Sequence, residues 1–217
     1  MKVFGIVGVL LATQSVSAHY IFKTLVAGSK TSTKAVRQPQ NNSPVVDLTS
    51  PQFACNTSPS PADETVSVLA GDTIGFQTDA AIFHKGPAAL YLGQAPGAVE
   101  NWDGTGQQWF KIAEWGATLN PLTFTSLGMS EFTAKIPANV PSGDVISRSR
   151  RAHRPALTGA PEAYMSCAQI RITQGGSGNP SKVAIPGDIA ATDASVMVNI
   201  YDTVASYTPP GPAVYSG

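Results

Sequence analysis

Apolar and polar residues alternate along this chain in short stretches set between turn signals. Val66-Ser67-Val68 precedes the turn Ala70-Gly71-Asp72, and Thr73-Ile74-Gly75-Phe76 follows it, which predicts a hairpin-like pair of strands buried with period two. Residues 88–92, 132–136, 169–173 and 196–201 predict further strands. Polar or Gly/Pro-rich connections are expected at 27–50, 93–108 and 174–193. No internal repeat or long amphipathic helix interrupts the pattern. The expected fold is all-β, an immunoglobulin-like or fibronectin-like β-sandwich with long loops.

The first 18 residues depart from this pattern. Lys2, an apolar run at 3–12 and the small residues of Val16-Ser17-Ala18 read as a secretory signal. Cleavage after Ala18 would leave residues 19–217 as one domain of a secreted, extracellular protein. No later apolar stretch reaches the ~18 residues a membrane helix needs. Without Lys2 the chain carries 13 basic against 14 acidic residues, so no global field draws nucleic acid or an anionic membrane. A neutral partner and a monomer are expected. Cys55 and Cys167, in an oxidising compartment, read most simply as one structural disulfide and exclude a multi-thiolate metal site. Asn41-Asn42-Ser43 and Asn56-Thr57-Ser58 are sequons, with Pro44 and Cys55 placed to hinder them.

The candidate chemistry lies in three histidines: His19, His84 and His153. After signal removal, His19 offers its α-amine and imidazole Nδ1 to one ion, and a second imidazole completes three nitrogens. Such a tetragonal nitrogen set suits Cu(II). The alternative for His19 is an accident of the cleavage site. His84, in Phe83-His84-Lys85-Gly86-Pro87 ahead of a strand, sits where a loop enters the sheet. Its alternative is an ordinary loop histidine.

His19-Tyr20, His84-Lys85-Gly86-Pro87 with Tyr91-Leu92-Gly93, and Trp109-Phe110-Lys111-Ile112 are followed by a run from Tyr164 to Ile170, Asn199-Ile200-Tyr201 and Pro210-Gly211-Pro212. This order resembles auxiliary-activity family nine, the fungal cellulose-active lytic polysaccharide monooxygenases. The resemblance covers nearly all of residues 19–217 and implies a catalytic sandwich whose flat face carries a copper histidine brace. It implies His19 and His84 as equatorial ligands of one copper ion, Tyr164 near the axial position, and a Cys55–Cys167 bridge behind it. Tyr207, and Tyr20 beside the brace, would meet the sugar; Tyr164 alone reads as a core tyrosine, and Tyr20 equally as a buried aromatic opening the first strand. The implied reaction oxidises C1 or C4 of a glycosidic linkage in cellulose or a related β-glucan. It uses O2 or H2O2 as co-substrate and an external electron donor. No paired carboxylates of a glycosidase stand out. The alternative is a non-catalytic copper- or polysaccharide-binding homologue.

Two positions depart from the family pattern. Glu162 stands where the family has Gln, and a carboxylate donates a hydrogen bond only when protonated. The second is the segment from Ser147 to Pro155, which holds four of the six arginines where the family has a strand ending Ile-Ala-Leu-His. His153, ten residues before the one preceding Tyr164, has the spacing of the family's other catalytic-site histidine but not its flanks. Arg150 to Ala156 can be encoded CGT-CGA-GCA-CAT-CGC-CCT-GCA, and one nucleotide later these bases read Val-Glu-His-Ile-Ala-Leu. We therefore expect a stretch translated out of frame, against the alternative of a genuine basic loop; resequencing the transcript decides. Four unpaired charges are expected to displace or fray the strand.

Overall fold

The computed structural model describes residues 19–56, 60–153 and 161–217, with the backbone alone at 150–153. The expected signal segment lies outside the described residues. In chain order the elements are β1 Phe22–Ala27, β2 Lys30–Ser32, β3 Val36–Arg37, α1 Gln52–Cys55, β4 Val66–Leu69, β5 Thr73–Thr78, β6 Ala88–Gln94, β7 Gly106–Trp115, β8 Ala117–Thr118, β9 Thr123–Phe124, β10 Glu131–Lys135, β11 Gly143–His153, β12 Glu162–Thr173, β13 Val183–Ile185 and α2 Ala194–Met197.

One sheet runs β10-β5-β1-β2, the other β13-β7-β6-β11-β12-β3 with β4 parallel to β12. Phe22, Phe76, Leu90, Phe110 and Ile170 fill the space between them, so the expected β-sandwich forms. The larger sheet is buried on both faces. Along β12, Tyr164, Ala168, Ile170 and Ile172 enter the core between the sheets, while Ala163, Met165 and Cys167 enter an outer cluster with Phe53 and Ala54 of α1. Burial on both sides explains why this strand reads as a near-continuous apolar run.

Several expectations change. The stretches 66–68 and 73–76 are strands, but not a hairpin: β4 joins the larger sheet and β5 the smaller. Period-two burial is satisfied in either sheet, and the intervening turn crosses between them, with the Gly71 and Ile136 amides bonded to Ile136 and Asp72 carbonyls respectively. The predicted strand at 196–201 is instead the end of α2 and a turn; Val196 and Ile200 are buried four residues apart, and the Val196 and Met197 amides both bond the Asp193 carbonyl. The connection expected at 93–108 ends in β7, whose Trp109 and Phe110 are buried.

Over the described residues 147–153 the arginine-rich strand is neither displaced nor frayed; Arg154 and Pro155 lie outside the described residues. β11 keeps register with β12 from Gly143↔Ile172 to His153↔Glu162, and with β6 from Val145 to Arg151. Arg148 shows how a charge is accommodated there. It is fully buried, yet its Nε donates to the Ala54 carbonyl and its Nη2 to the Phe53 carbonyl, each at 2.6 Å. Its guanidinium also lies 5.0 Å from the Phe53 ring centroid and 5.7 Å from that of Tyr91. The two carbonyls belong to α1, whose last turn leaves such groups without helical partners. Arg148 faces Cys167 across the ladder, and Cys167 is disulfide-bonded to Cys55 of the same turn. The guanidinium thus clamps α1 onto β11 and the disulfide clamps it onto β12, the strand carrying Tyr164. The bridge spans 112 residues, which in the chain-entropy account contributes about 4–5 kcal/mol. Asn56, next in the chain, joins this contact through its side-chain amide, which donates to the Met165 carbonyl at 3.2 Å.

On the exposed rim of this ladder Asp144 pairs bidentately with Arg171 at 2.6 and 3.1 Å. The hydrogen bond from Arg171 holds the Asp144 carboxyl below its ordinary value. With the folded value below the unfolded one, the contribution is complete above the ordinary carboxylate range and is lost as pH falls through the folded value. Thermal melts of Asp144→Asn should therefore lose less stability than the parent from about pH 4 downward. Parallel curves would remove this pair from the acid response.

Candidate metal centre

His19 lies three residues ahead of β1, and its segment is pinned beside the loop that bears His84. The Ile21 amide donates to the Asp79 carboxylate at 2.8 Å, and the Asp79 amide returns a bond to the Ile21 carbonyl at 3.1 Å. Asp79 opens the loop running to β6. Farther along, Ile82 is fully buried and exchanges backbone bonds with Gly128 and Met129, while the Ser126 hydroxyl donates to the Gly86 carbonyl. Held at both ends, the loop presents half-buried His84 to half-buried His19.

The two imidazoles and the Tyr164 ring form a compact triangle. Centroids are 6.2 Å apart for His19–His84, 5.7 Å for His19–Tyr164 and 6.0 Å for His84–Tyr164. Two imidazoles bound from opposite sides of one ion, with nitrogens ~2 Å from it, place their centroids at most about 6.4 Å apart. The observed spacing fits a single shared ion. Among the described residues no group of three or more His, Cys, Asp or Glu is placed to hold a metal, so an ion bound here would rely on imidazole, amine and phenol donors.

Tyr164 is 2% exposed and rises from the core face of β12. Its hydroxyl donates to the Glu162 carboxylate at 3.2 Å, two residues along the same strand face. Tyr20 stacks on the Tyr164 ring at 4.9 Å and meets Phe22 edge-on. It is 2% exposed, so the buried-aromatic reading of the sequence describes its surroundings, with the ring packed between Tyr164 and Phe22. Tyr207 is half-buried, edge-on to Phe124 at 5.3 Å, with its hydroxyl donating to the Ser195 carbonyl. For His153 the structure fixes only the backbone, opposite Glu162 in the ladder.

Sequence reasoning passed over one aromatic at the site. Phe83 is 45% exposed and packs 4.5 Å from the His84 ring. Its signal was its place between buried Ile82 and the loop histidine, where alternation turns it outward.

A β-sandwich that gathers two imidazoles and a buried phenol at one end defines a class: a scaffold with a candidate nitrogen-donor site at its surface. The comparisons make that class specific. Residues 19–208 match Auxiliary Activity family 9 (formerly GH61). Lytic polysaccharide monooxygenase E of Podospora anserina is 44% identical over 95% of this chain and 72% of its own length. Lytic polysaccharide monooxygenase H of Malbranchea cinnamomea is 39% identical over 97% of both chains. The crystal structure of a cellulose-active polysaccharide monooxygenase from M. thermophila superposes with a TM-score of 0.80 at 25% identity, covering 92% of this chain and all of that one. The chain belongs to auxiliary activity family 9, the lytic polysaccharide monooxygenases, and is thereby an enzyme of oxidative polysaccharide cleavage. Among the described residues no helix is long and apolar enough to cross a membrane.

Proposed function

We propose that this chain is a secreted, copper-dependent monooxygenase that cleaves cellulose or a related β-glucan. The observation that carries the reading is the His19–His84–Tyr164 triangle at the end of the sandwich. Signal removal would free the His19 α-amine, and His19 and His84 would then hold one copper ion. Tyr164, whose ring packs against both imidazoles, would close the site from the sandwich side. Copper bound there would supply one-electron redox chemistry, taking electrons from an external donor and using O2 or H2O2 to oxidise C1 or C4 of the glycosidic linkage.

The chain's own residues position and protonate. Asp79 and Ile82 fix the separation of the two imidazoles, and Tyr20 fixes the Tyr164 ring. Glu162 accepts from the Tyr164 hydroxyl and sets a carboxylate beside the triangle that can take up or deliver a proton there. Phe83 and the open part of Tyr207 offer ring faces on which sugar rings can stack.

Incubating signal-cleaved, copper-loaded protein with cellulose and ascorbate tests this reading. C1- or C4-oxidised oligosaccharides should appear only with the reductant. Plain hydrolytic products that need no reductant would refute it, and copper binding without cleavage would identify a non-catalytic homologue.

A further inference from the structure

Directly beyond His84, the chain borders a cleft of about 260 Å³ that the metal centre does not use. Lys85, Asn120 and Asp202 line it with one ammonium, one amide and one carboxylate, and buried Leu122 and Ile200 lie beneath. Tyr201 stands at its edge with 73% of its surface exposed, the most open of the exposed large apolar or aromatic side chains among the described residues.

That exposure is built into the local backbone. The Asn199 side chain accepts from the Tyr201 amide at 3.1 Å and donates to the Asp202 carboxylate at 2.8 Å, while the Asp202 amide returns to the Asn199 carbonyl at 3.2 Å. The closed turn buries Ile200 and turns Tyr201 outward. Lys85 Nζ lies 5.6 Å from the Tyr201 ring centroid, a cation–π contact that restrains the ring while leaving most of it open. An exposed, pre-positioned aromatic beside convergent polar groups is a device for binding, since the same ring could have been buried with Ile200.

The lining selects the ligand. A ring face takes up the apolar C–H face of a sugar, and the ammonium, amide and carboxylate serve hydroxyl groups as donors and acceptors. Opposite charges on Lys85 and Asp202 give no preference for an anionic or cationic ligand. The cleft is smaller than the roughly 300–1,000 Å³ of drug-sized sites, which limits it to about one ring. We propose that Tyr201, with Lys85, Asn120 and Asp202, forms a subsite for one neutral β-linked pyranose of the glucan chain, flanking the metal centre on the His84 side. This rests on the glucan-oxidising reading above.

Cellohexaose titrated into the copper-loaded, signal-cleaved full chain tests it by calorimetry. Tyr201→Ala should weaken binding about three- to tenfold, the range of one aromatic stacking contact, whereas Tyr201→Phe should stay within about twofold. The exposed position leaves folding unaffected, which an unchanged copper spectrum would verify. Equal affinity of parent and Tyr201→Ala overturns the subsite while leaving the oxidative reading intact. A parent chain that does not bind cellohexaose also overturns it, and the cellulose–ascorbate assay then shows whether the oxidative reading falls with it.

Discussion

His84→Ala should lower Cu(II) affinity by at least about 100-fold and reduce reductant-dependent oxidation of cellulose to background. Losing a group that merely orients a metal ligand typically costs 10–100-fold, and His84 is placed to be a ligand itself. Without it only the His19 amine and ring remain as nitrogen donors, backed by a neutral phenol that binds metals weakly. The loss should be chemical and not structural. His84 is half-buried on a loop whose ends are held by Ile82, Ser126 and Asp79, none of which depends on its imidazole. The metal-free variant should therefore stay folded, losing with its Phe83 and Tyr164 ring contacts about 1 kcal/mol, roughly 2–4 °C in melting temperature. Calorimetric copper titration, a thermal melt and product analysis together check this. Undiminished copper affinity would remove His84 from the site.

Arg148→Ala should destabilise the fold by about 3–5 kcal/mol, a fall in melting temperature of roughly 10 °C. The substitution removes charge-assisted bonds to the Phe53 and Ala54 carbonyls and leaves both acceptors buried with no guanidinium to meet them. It also opens a cavity among Phe53, Tyr91 and Trp109. Arg148→Lys should recover only part of the loss, because one ammonium cannot span two carbonyls as the planar fork does. Since Arg148 and the Cys55–Cys167 bridge clamp the same helical turn, removing both should cost less than the two single losses combined. A melt of Arg148→Ala indistinguishable from the parent would show that α1 is held without it.

The same residue shows where sequence reading reached its limit. Composition marked 147–155 as a misplaced basic stretch, because charges on a central strand ordinarily stay in water. Which carbonyls a distant turn would leave open is not written near Arg148: Phe53 and Ala54 lie 95 and 94 residues away. The expectation of an out-of-frame stretch concerns residues 150–156, beyond Arg148, where the structure describes at most the backbone. The sandwich itself was legible, because alternating burial and turn residues are local signals. Sheet membership was not: residues 66–68 and 73–76 carry the same period whether they pair with each other or with opposite sheets. At the site, His19 and His84 were legible through position and motif. Tyr20 was ambiguous until Tyr164 was seen stacked on it, and Tyr201 was masked by an apolar run that reads equally as a strand.

The central claim is that His19 binds copper through its own α-amine together with its ring and that of His84. Electron paramagnetic resonance of the Cu(II)-loaded, signal-cleaved protein, compared with a form carrying one extra residue before His19, tests it most directly. The account predicts an axial, nitrogen-rich signal for the cleaved protein that collapses in the extended form, where the amine has become an amide. The same spectrum from both forms would contradict it.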